Sequence, residues 1–263
     1  MLGDRDQSLE DLRGRRWDAV IDYCGYFPRQ VRKAAAEIEA GRYVFVSTIS
    51  VYADFRVRGL TEESPVKQPP RWGERSTEMT PDSYGWLKVL CERALEEAMQ
   101  DRALIVRPGV LVGPHDYTGR FNFWLAKVAR GGLLLAPGPP DRPVQILDAR
   151  DLADWLLNMV EREKTGTFNA TGPGRPLSMG GLLRACRETL ATDTTFTWVE
   201  EDIIANESPG LPLWTPTEKS GFDSIDSSRA RAEGLVFRPL EDTILDTFDW
   251  MEADPDAPRK PTR

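Results

Sequence analysis

Two residues one helical turn apart carry the first chemical hint. In SYGWLKVLCE (residues 83–92) Tyr84 precedes Lys88 by four positions, a spacing that sets both side chains on one helix face. A phenol is a poor base at neutral pH because its ordinary pKa is about 10. Lowering it to about 7 requires some ~4 kcal/mol at 1.36 kcal/mol per unit. An ammonium ~4 Å away across an effective dielectric of ~20 supplies that much. Tyr84 is therefore a candidate general acid/base and Lys88 the cation that would tune it. Y-x-x-x-K also arises by chance in helices that do no chemistry. A third group could join them: Thr48, at the polar end of the apolar run RYVFVSTIS (42–50), offers a hydroxyl, although a lone strand-end threonine commonly has no further role.

The elements around these residues say how they could meet. WDAVIDYCGY (17–26) is a short apolar run of the kind a buried parallel strand presents. PRQVRKAAAEIEAG (28–41) reads as a helix with Pro28 at its start and Gly41 at its stop. Residues 42–50 form a second strand, 83–100 a second helix, and ALIVRPGVLVGP (103–114) a strand broken by Pro108. This β-α-β-α-β alternation implies a parallel sheet with right-handed crossovers. Ligands of such sheets sit beyond the C-terminal strand ends, where Thr48 lies and where the Tyr84 helix begins. Further on, 120–132 reads as a helix, 143–163 as a strand entering a helix, and 166–173 as a short strand. A helix follows over 177–191 behind a Ser178 cap, then a late strand TFTWVEE and a closing helix over 238–253.

Composition narrows the class. Charged residues are 29 % of the 263 and the net charge is -8, with no basic block of the kind phosphate backbones or anionic membranes require. Nucleic acid and membrane are therefore not expected partners. No apolar run is long enough to cross a bilayer, and MLGDRDQSLE carries no signal-peptide core. Cys24, Cys91 and Cys186 are odd in number and widely spaced. They suit a reducing cytoplasm and suggest neither a disulfide framework nor a metal site. With His115 the sole histidine, acid/base chemistry must come from other residues.

The chain resembles the extended short-chain dehydrogenase/reductases, the NAD-dependent epimerase/dehydratases. YVFVSTISVYAD resembles that family's hydroxyl-bearing strand, mapping its serine or threonine to Thr48, with Ser47 the substitute. SYGWLKVLCE matches its Y-x-x-x-K at Tyr84 and Lys88. IVRPGVLVGPHD, VQILDARDLA, GTFNATGP and GLVFRPLEDTILDT match further landmarks in order. The resemblance implies a Rossmann-like α/β fold, NAD or NADP as cofactor, a small-molecule substrate, and transfer of a hydride at a carbonyl or hydroxyl carbon. It places Tyr23, Cys24, Gly25 and Tyr26 beside the ribose and nicotinamide, and Pro108, Gly109 and Val110 beside the nicotinamide. Asp4 would contact the adenine and Arg5 would supply backbone there. Arg120, Phe121 and Trp124 would line the substrate pocket. Asp148, Arg150 and Asp151 read as a loop-closing ion-pair landmark.

One landmark has no match: a G-x-x-G-x-x-G turn before the first strand. The resemblance then implies that roughly 60 to 70 residues, two βα units, are missing from the front, leaving the strand AVIDY (19–23) as an exposed sheet edge. Loss of the pyrophosphate cradle would weaken cofactor binding, and a non-catalytic binding protein is the rival reading; an RNA-binding relative is a third, against which the acidic charge counts. The expected organisation is a partial dinucleotide-binding core with the catalytic helix (1–119), a substrate-binding lobe with returning core elements (120–253), and a disordered tail (254–263). Helices 28–41 and 83–100 are expected to pair two copies as a homodimer, because Leu87, Val89, Leu90, Ala94, Leu95 and Ala98 exceed what one buried stripe needs.

Overall fold

A computed structural model describes residues 5–7, 9–207 and 210–261. The elements are, in chain order, β1 (Arg16–Asp22), α1 (Pro28–Glu37), β2 (Glu39–Val46), α2 (Pro81–Met99), β3 (Ala103–Pro108), β4 (Val110–Val112), α3 (Arg120–Ala129), β5 (Leu133–Pro137), β6 (Ile146–Asp148), α4 (Ala149–Glu161), β7 (Gly166–Ala170), α5 (Met179–Thr189), β8 (Thr195–Val199), α6 (Glu201–Glu207), α7 (Ser228–Ala232) and α8 (Leu240–Ala253). Asp4 lies outside the described residues.

Four strands form one parallel sheet in the order β1-β2-β3-β7. Every residue of β3 is buried, as a strand covered on both faces must be. On one face α1 and α2 close a core of Val31, Tyr43, Phe45, Leu95 and Ile105. On the other, α4 packs Leu152, Trp155 and Leu156 against Val44 and Val106. This is the Rossmann-like α/β arrangement that the alternation implies. β1 pairs only with β2 and forms one edge of the sheet among the described residues.

The second lobe is built from two-stranded parallel pairs, β4 with β6 and β5 with β8. Helices α3, α5 and α8 bury Phe121, Trp124, Leu125, Leu182, Cys186 and Ile244 between them. Local signals held where they were strong: Ser178 caps α5 by accepting from the Gly181 amide. Asp148 caps α4 and pairs with Arg150 at 2.8 Å, while Asp151 pairs with Arg238 at 2.7 Å and Thr243 donates to Asp148. That landmark ties α4 to α8 as a loop clamp.

Three expectations change. Gly41 does not end α1; pairing of Glu39 with Arg16 draws that segment into β2, and α1 stops at Glu37. β5 escapes sequence reading because its partner lies some sixty residues away and Leu133 and Leu135 point outward. The end of the chain, expected to be disordered, packs on the second lobe over 254–261: Asn122 Nδ2 donates to Pro258 O at 2.9 Å, Arg259 donates to Met251 O at 2.6 Å, and Ala257 is buried.

The apolar excess of α2 also finds its cover within the chain. Leu87, Val89, Leu90, Ala94 and Leu95 are all buried here, and of the six residues that suggested a paired copy only Ala98 is exposed. Among the described residues no helix is long and apolar enough to cross a membrane.

Candidate active site

A cavity of about 560 Å³ opens at the C-terminal ends of β2 and β3. Its floor is the turn after β2, where Thr48 caps a short 3-10 helix and its Oγ1 accepts from the Ser50 amide at 3.1 Å. One wall is the first turn of α2. Thr80 and Ser83 close that helix end reciprocally, with Pro81 at its first position, so the direction in which Tyr84 leaves the helix is set locally. Tyr84, Thr48 and Lys88 all line the cavity.

Lys88 is 2 % exposed. Its Nζ donates to Val46 O at 2.7 Å and Gly25 O at 3.0 Å and stands 4.0 Å above the Phe45 ring. Burial pushes it down to about 8, against partial compensation from Cys91, Asp22 and Glu92. Burial pushes the Tyr84 phenol up from its ordinary value, and the neighbouring Thr48 hydroxyl opposes that rise. An ammonium has three N–H donors, so two backbone bonds leave one for the cavity.

The helix stripe continues to Glu92, which sequence reasoning passed over. Glu92 lies four residues beyond Lys88, is 4 % exposed, and forms a two-pronged pair with Arg107 at 3.0 and 2.7 Å. Ser47 donates to the same carboxylate at 2.5 Å. Ser47 also lines the cavity, but its hydroxyl is engaged by Glu92, which leaves Thr48 as the hydroxyl available to Tyr84. The signal was available as the third member of an i, i+4, i+8 series, but only the fold brings Arg107 and Ser47 to it.

The other expected residues divide. Tyr23, Cys24 and Tyr26 line the cavity, as do Pro108, Gly109 and Val110. Gly25 contributes through its carbonyl to Lys88. Arg5 is not at the cavity: its guanidinium grips Asp22 with two bonds of 2.7 Å, and Asp22 also accepts from Tyr43 at 2.7 Å. Burial would raise Asp22, but the Arg5 bonds outweigh it and hold the carboxyl below its usual range. Arg120 lines the cavity, whereas Phe121 and Trp124 do not; both are buried in the second lobe, with Trp124 Nε1 donating to Pro212 O at 2.8 Å. Adjacent helix positions face different ways, which sends Phe121 inward when Arg120 faces the cavity, whereas Trp124 lies one turn further along the Arg120 side and is covered there by the 212 segment to which it donates. Asp116, Tyr117, Thr118 and Phe222 complete the wall unforeseen, since irregular loops carry no periodicity to read. His115 packs at a tilt of 49° on Trp250, ring centroids 5.2 Å apart, in an exposed loop.

A parallel α/β sheet with threonine, tyrosine and lysine gathered at its C-terminal edge defines a Rossmann-like protein of the short-chain dehydrogenase/reductase type. The family described as NAD dependent epimerase/dehydratase matches residues 26–171. The chain belongs to that family, whose description names both the cofactor and the kind of enzyme. No curated protein matches the sequence. Among solved structures it is similar to UDP-glucuronic acid 4-epimerase from Bacillus cereus, crystallised with UDP-glucuronic acid and NAD (16 % identity, TM-score 0.57, 86 % of this chain and 66 % of that one). It is also similar to a dTDP-4-dehydrorhamnose reductase from Clostridium acetobutylicum (18 %, 0.60, 86 % and 71 %). A third is RMD from Pseudomonas aeruginosa with NADPH (14 %, 0.63, 90 % and 82 %). At these identities the likeness is one of fold.

Proposed function

We propose that the protein is an NAD(P)-dependent epimerase, dehydratase or reductase acting on a small molecule with a carbonyl or hydroxyl group, nucleotide sugars being the first class to try. The observation that carries this reading is the convergence of Tyr84, Thr48 and Lys88 on one cavity at the C-terminal edge of the sheet. The residues present fit the nicotinamide half of such a cofactor. Lys88 keeps one N–H for a ribose hydroxyl, and Tyr23, Cys24 and the 108–110 turn line the rest. A bound nicotinamide supplies the hydride donor or acceptor.

The chain's own residues handle the proton and the oxygen. Tyr84 gives its phenolic proton to a carbonyl oxygen being reduced, or takes one from a hydroxyl being oxidised. Thr48 shares that oxygen's hydrogen bonds and holds it against the phenol. Lys88 anchors the end of β2 to the loop after β1 through Val46 and Gly25, which keeps Thr48 and the cofactor-lining loop in register. The choice of small-molecule substrates over macromolecules follows from a cavity of this size and the acidic surface.

The test is Tyr84→Phe, assayed by nicotinamide absorbance against a panel of nucleotide sugars and simple carbonyl compounds. Turnover falls by about 10²–10⁴-fold, the usual contribution of a general acid/base, while cofactor affinity stays close to that of the parent. Turnover within a few-fold of the parent removes Tyr84 from the mechanism.

A further inference from the structure

We propose that the closing segment 254–261 is a strap for the substrate side of the cavity, and that Asn122 is the positioning residue that ties the two together. The wall concerned is the loop before α3, with Asp116, Tyr117 and Thr118, and the first helical residue, Arg120, all lining the cavity. The hydrogen bonds inside this loop are short in reach. The Asp116 amide donates to Gly113 O at 3.2 Å and the Gly119 amide to Asp116 O at 3.4 Å. Thr118 donates to Asp116 Oδ1 through its amide at 2.9 Å and its hydroxyl at 2.6 Å. Such bonds shape a turn without fixing where it stands.

The wall is held from behind. Asn122 is 0 % exposed, on a helix whose Phe121, Trp124 and Leu125 are sealed in the second lobe. Its amide nitrogen donates to Asp116 O at 3.3 Å and to Pro258 O at 2.9 Å, so wall and closing segment are bonded to one buried atom. Its Oδ1 is buried and accepts no bond. An unfilled buried acceptor costs free energy, and the two donated bonds are what this side chain offers against that cost. Beside it Gly119 takes φ 66°, and a Cβ there would collide with the Lys260 carbonyl oxygen and stand 3.2 Å from Pro258 Cβ. The strap therefore lies directly on the turn.

The strap is moored independently of the wall. Arg259 donates to Met251 O at 2.6 Å and to Glu252 Oε1 at 3.0 Å, both in the last turn of α8, and Ala257 joins the second-lobe core. The same helix carries Trp250, the packing partner of His115 in the wall. Among the described residues of 254–261 none lines the cavity, so the strap acts through the wall alone. Tyr23, Cys24 and the 108–110 turn, which line the cofactor side, carry none of these bonds. Loosening the strap therefore weakens substrate binding and leaves the cofactor side and the Tyr84, Thr48 and Lys88 group in place.

The proposal rests on reading this cavity as the substrate site, so its test has two arms. In the first, hydrogen exchange followed by mass spectrometry compares the parent with Arg259→Ala, which frees the strap at the end remote from the wall. Gly119→Ala drives it off at the wall, and Asn122→Asp keeps the side-chain shape while removing both donors. In each variant exchange speeds up by about tenfold, the worth of one hydrogen bond, in 113–123 and 254–261 together, and keeps the parent rate in β2 and β3. One segment freed while the other stays protected, neither segment responding, or a rise shared equally by β2 and β3 overturns the proposal. In the second arm Arg259→Ala is assayed with the substrate that the Tyr84→Phe panel identifies. Its KM for that substrate rises about tenfold, while kcat and the KM for the nicotinamide cofactor stay within about threefold of the parent. A substrate KM unchanged, or a cofactor KM that rises with it, overturns the positioning role. Coupled exchange in a protein that turns over no member of the panel keeps the strap and removes the proposed function.

Discussion

Gly85 sits between Tyr84 and Trp86 in the first turn of α2, and its replacement by alanine sets two known effects against each other. In an exposed helix interior the change stabilises by about 1 kcal/mol. Here an added Cβ would stand 2.2 Å from the Ser50 carbonyl oxygen and 2.7 Å from Lys67 Nζ. The lysine end is flexible and can swing aside. The carbonyl is backbone, and a normal carbon–oxygen contact exceeds 3 Å, so the helix and the turn must part by roughly 1 Å. Forcing atoms into a packed site typically costs about 1–3 kcal/mol, which exceeds the propensity gain. Gly85→Ala is expected to lose about 1 kcal/mol or more on balance, read as a lower urea midpoint at unchanged slope. The catalytic consequence is larger. The turn that must retreat is the one whose Ser50 amide binds Thr48, so the separation moves Thr48 relative to Tyr84 across the cavity that both line. A misplacement of ~1 Å can cost on the order of 10²-fold in rate. Adding Lys67→Ala in the same chain isolates the carbonyl's share. A urea midpoint above that of the parent, or unchanged turnover, would refute the close-packing argument.

Two further substitutions test the surrounding electrostatics. Glu92→Gln leaves the Arg107 charge buried against a neutral amide, at a place where the two side chains are only 8 and 6 % exposed; a loss of about 3 kcal/mol is expected, measured by denaturant unfolding at neutral pH. Asp223, 7 % exposed, is pushed up to about 6 by burial, against the opposing Thr215, Gln145 and Arg142. A carboxyl raised in the folded state contributes stability that is full below its unfolded value and is lost as pH rises through about 6. Asp223→Asn is therefore expected to match the parent near pH 4 and to exceed it above pH 7, by up to about 3 kcal/mol; equal stability at both pH values would refute the assignment.

Reading of the chain succeeded where the information is local or periodic. Apolar runs of strand length alternating with helical stripes specify a parallel sheet, because both patterns follow from the same need to bury side chains at fixed spacing. Tyr84 and Lys88 were legible for the same reason: their separation is a helix repeat. Thr48 was legible because a strand end in such a sheet has one place to be. The same local logic located the Ser178 cap, whereas the Asp148–Arg150 clamp was read from the family resemblance.

What only the tertiary structure decided concerns partners distant in the chain. The spacing of Tyr84 and Lys88 says that they share a helix face, but not that Val46 and Gly25 would claim the ammonium. Glu92 looks like another charge on an amphipathic helix until the fold brings up Ser47 and Arg107, 45 and 15 residues away. Neighbours such as Arg120 and Phe121 appear as one cluster in the sequence, yet a helix turns each residue by a fixed angle and sends one to the cavity and the other to the core. The closing segment has the composition of a loose tail and still packs on α3 and α8, because Asn122 and Met251 offer it hydrogen bonds that no local pattern announces. Secondary structure and helix-spaced pairs follow from local backbone geometry; burial, ionisation and hydrogen-bond partners depend on which distant surfaces meet.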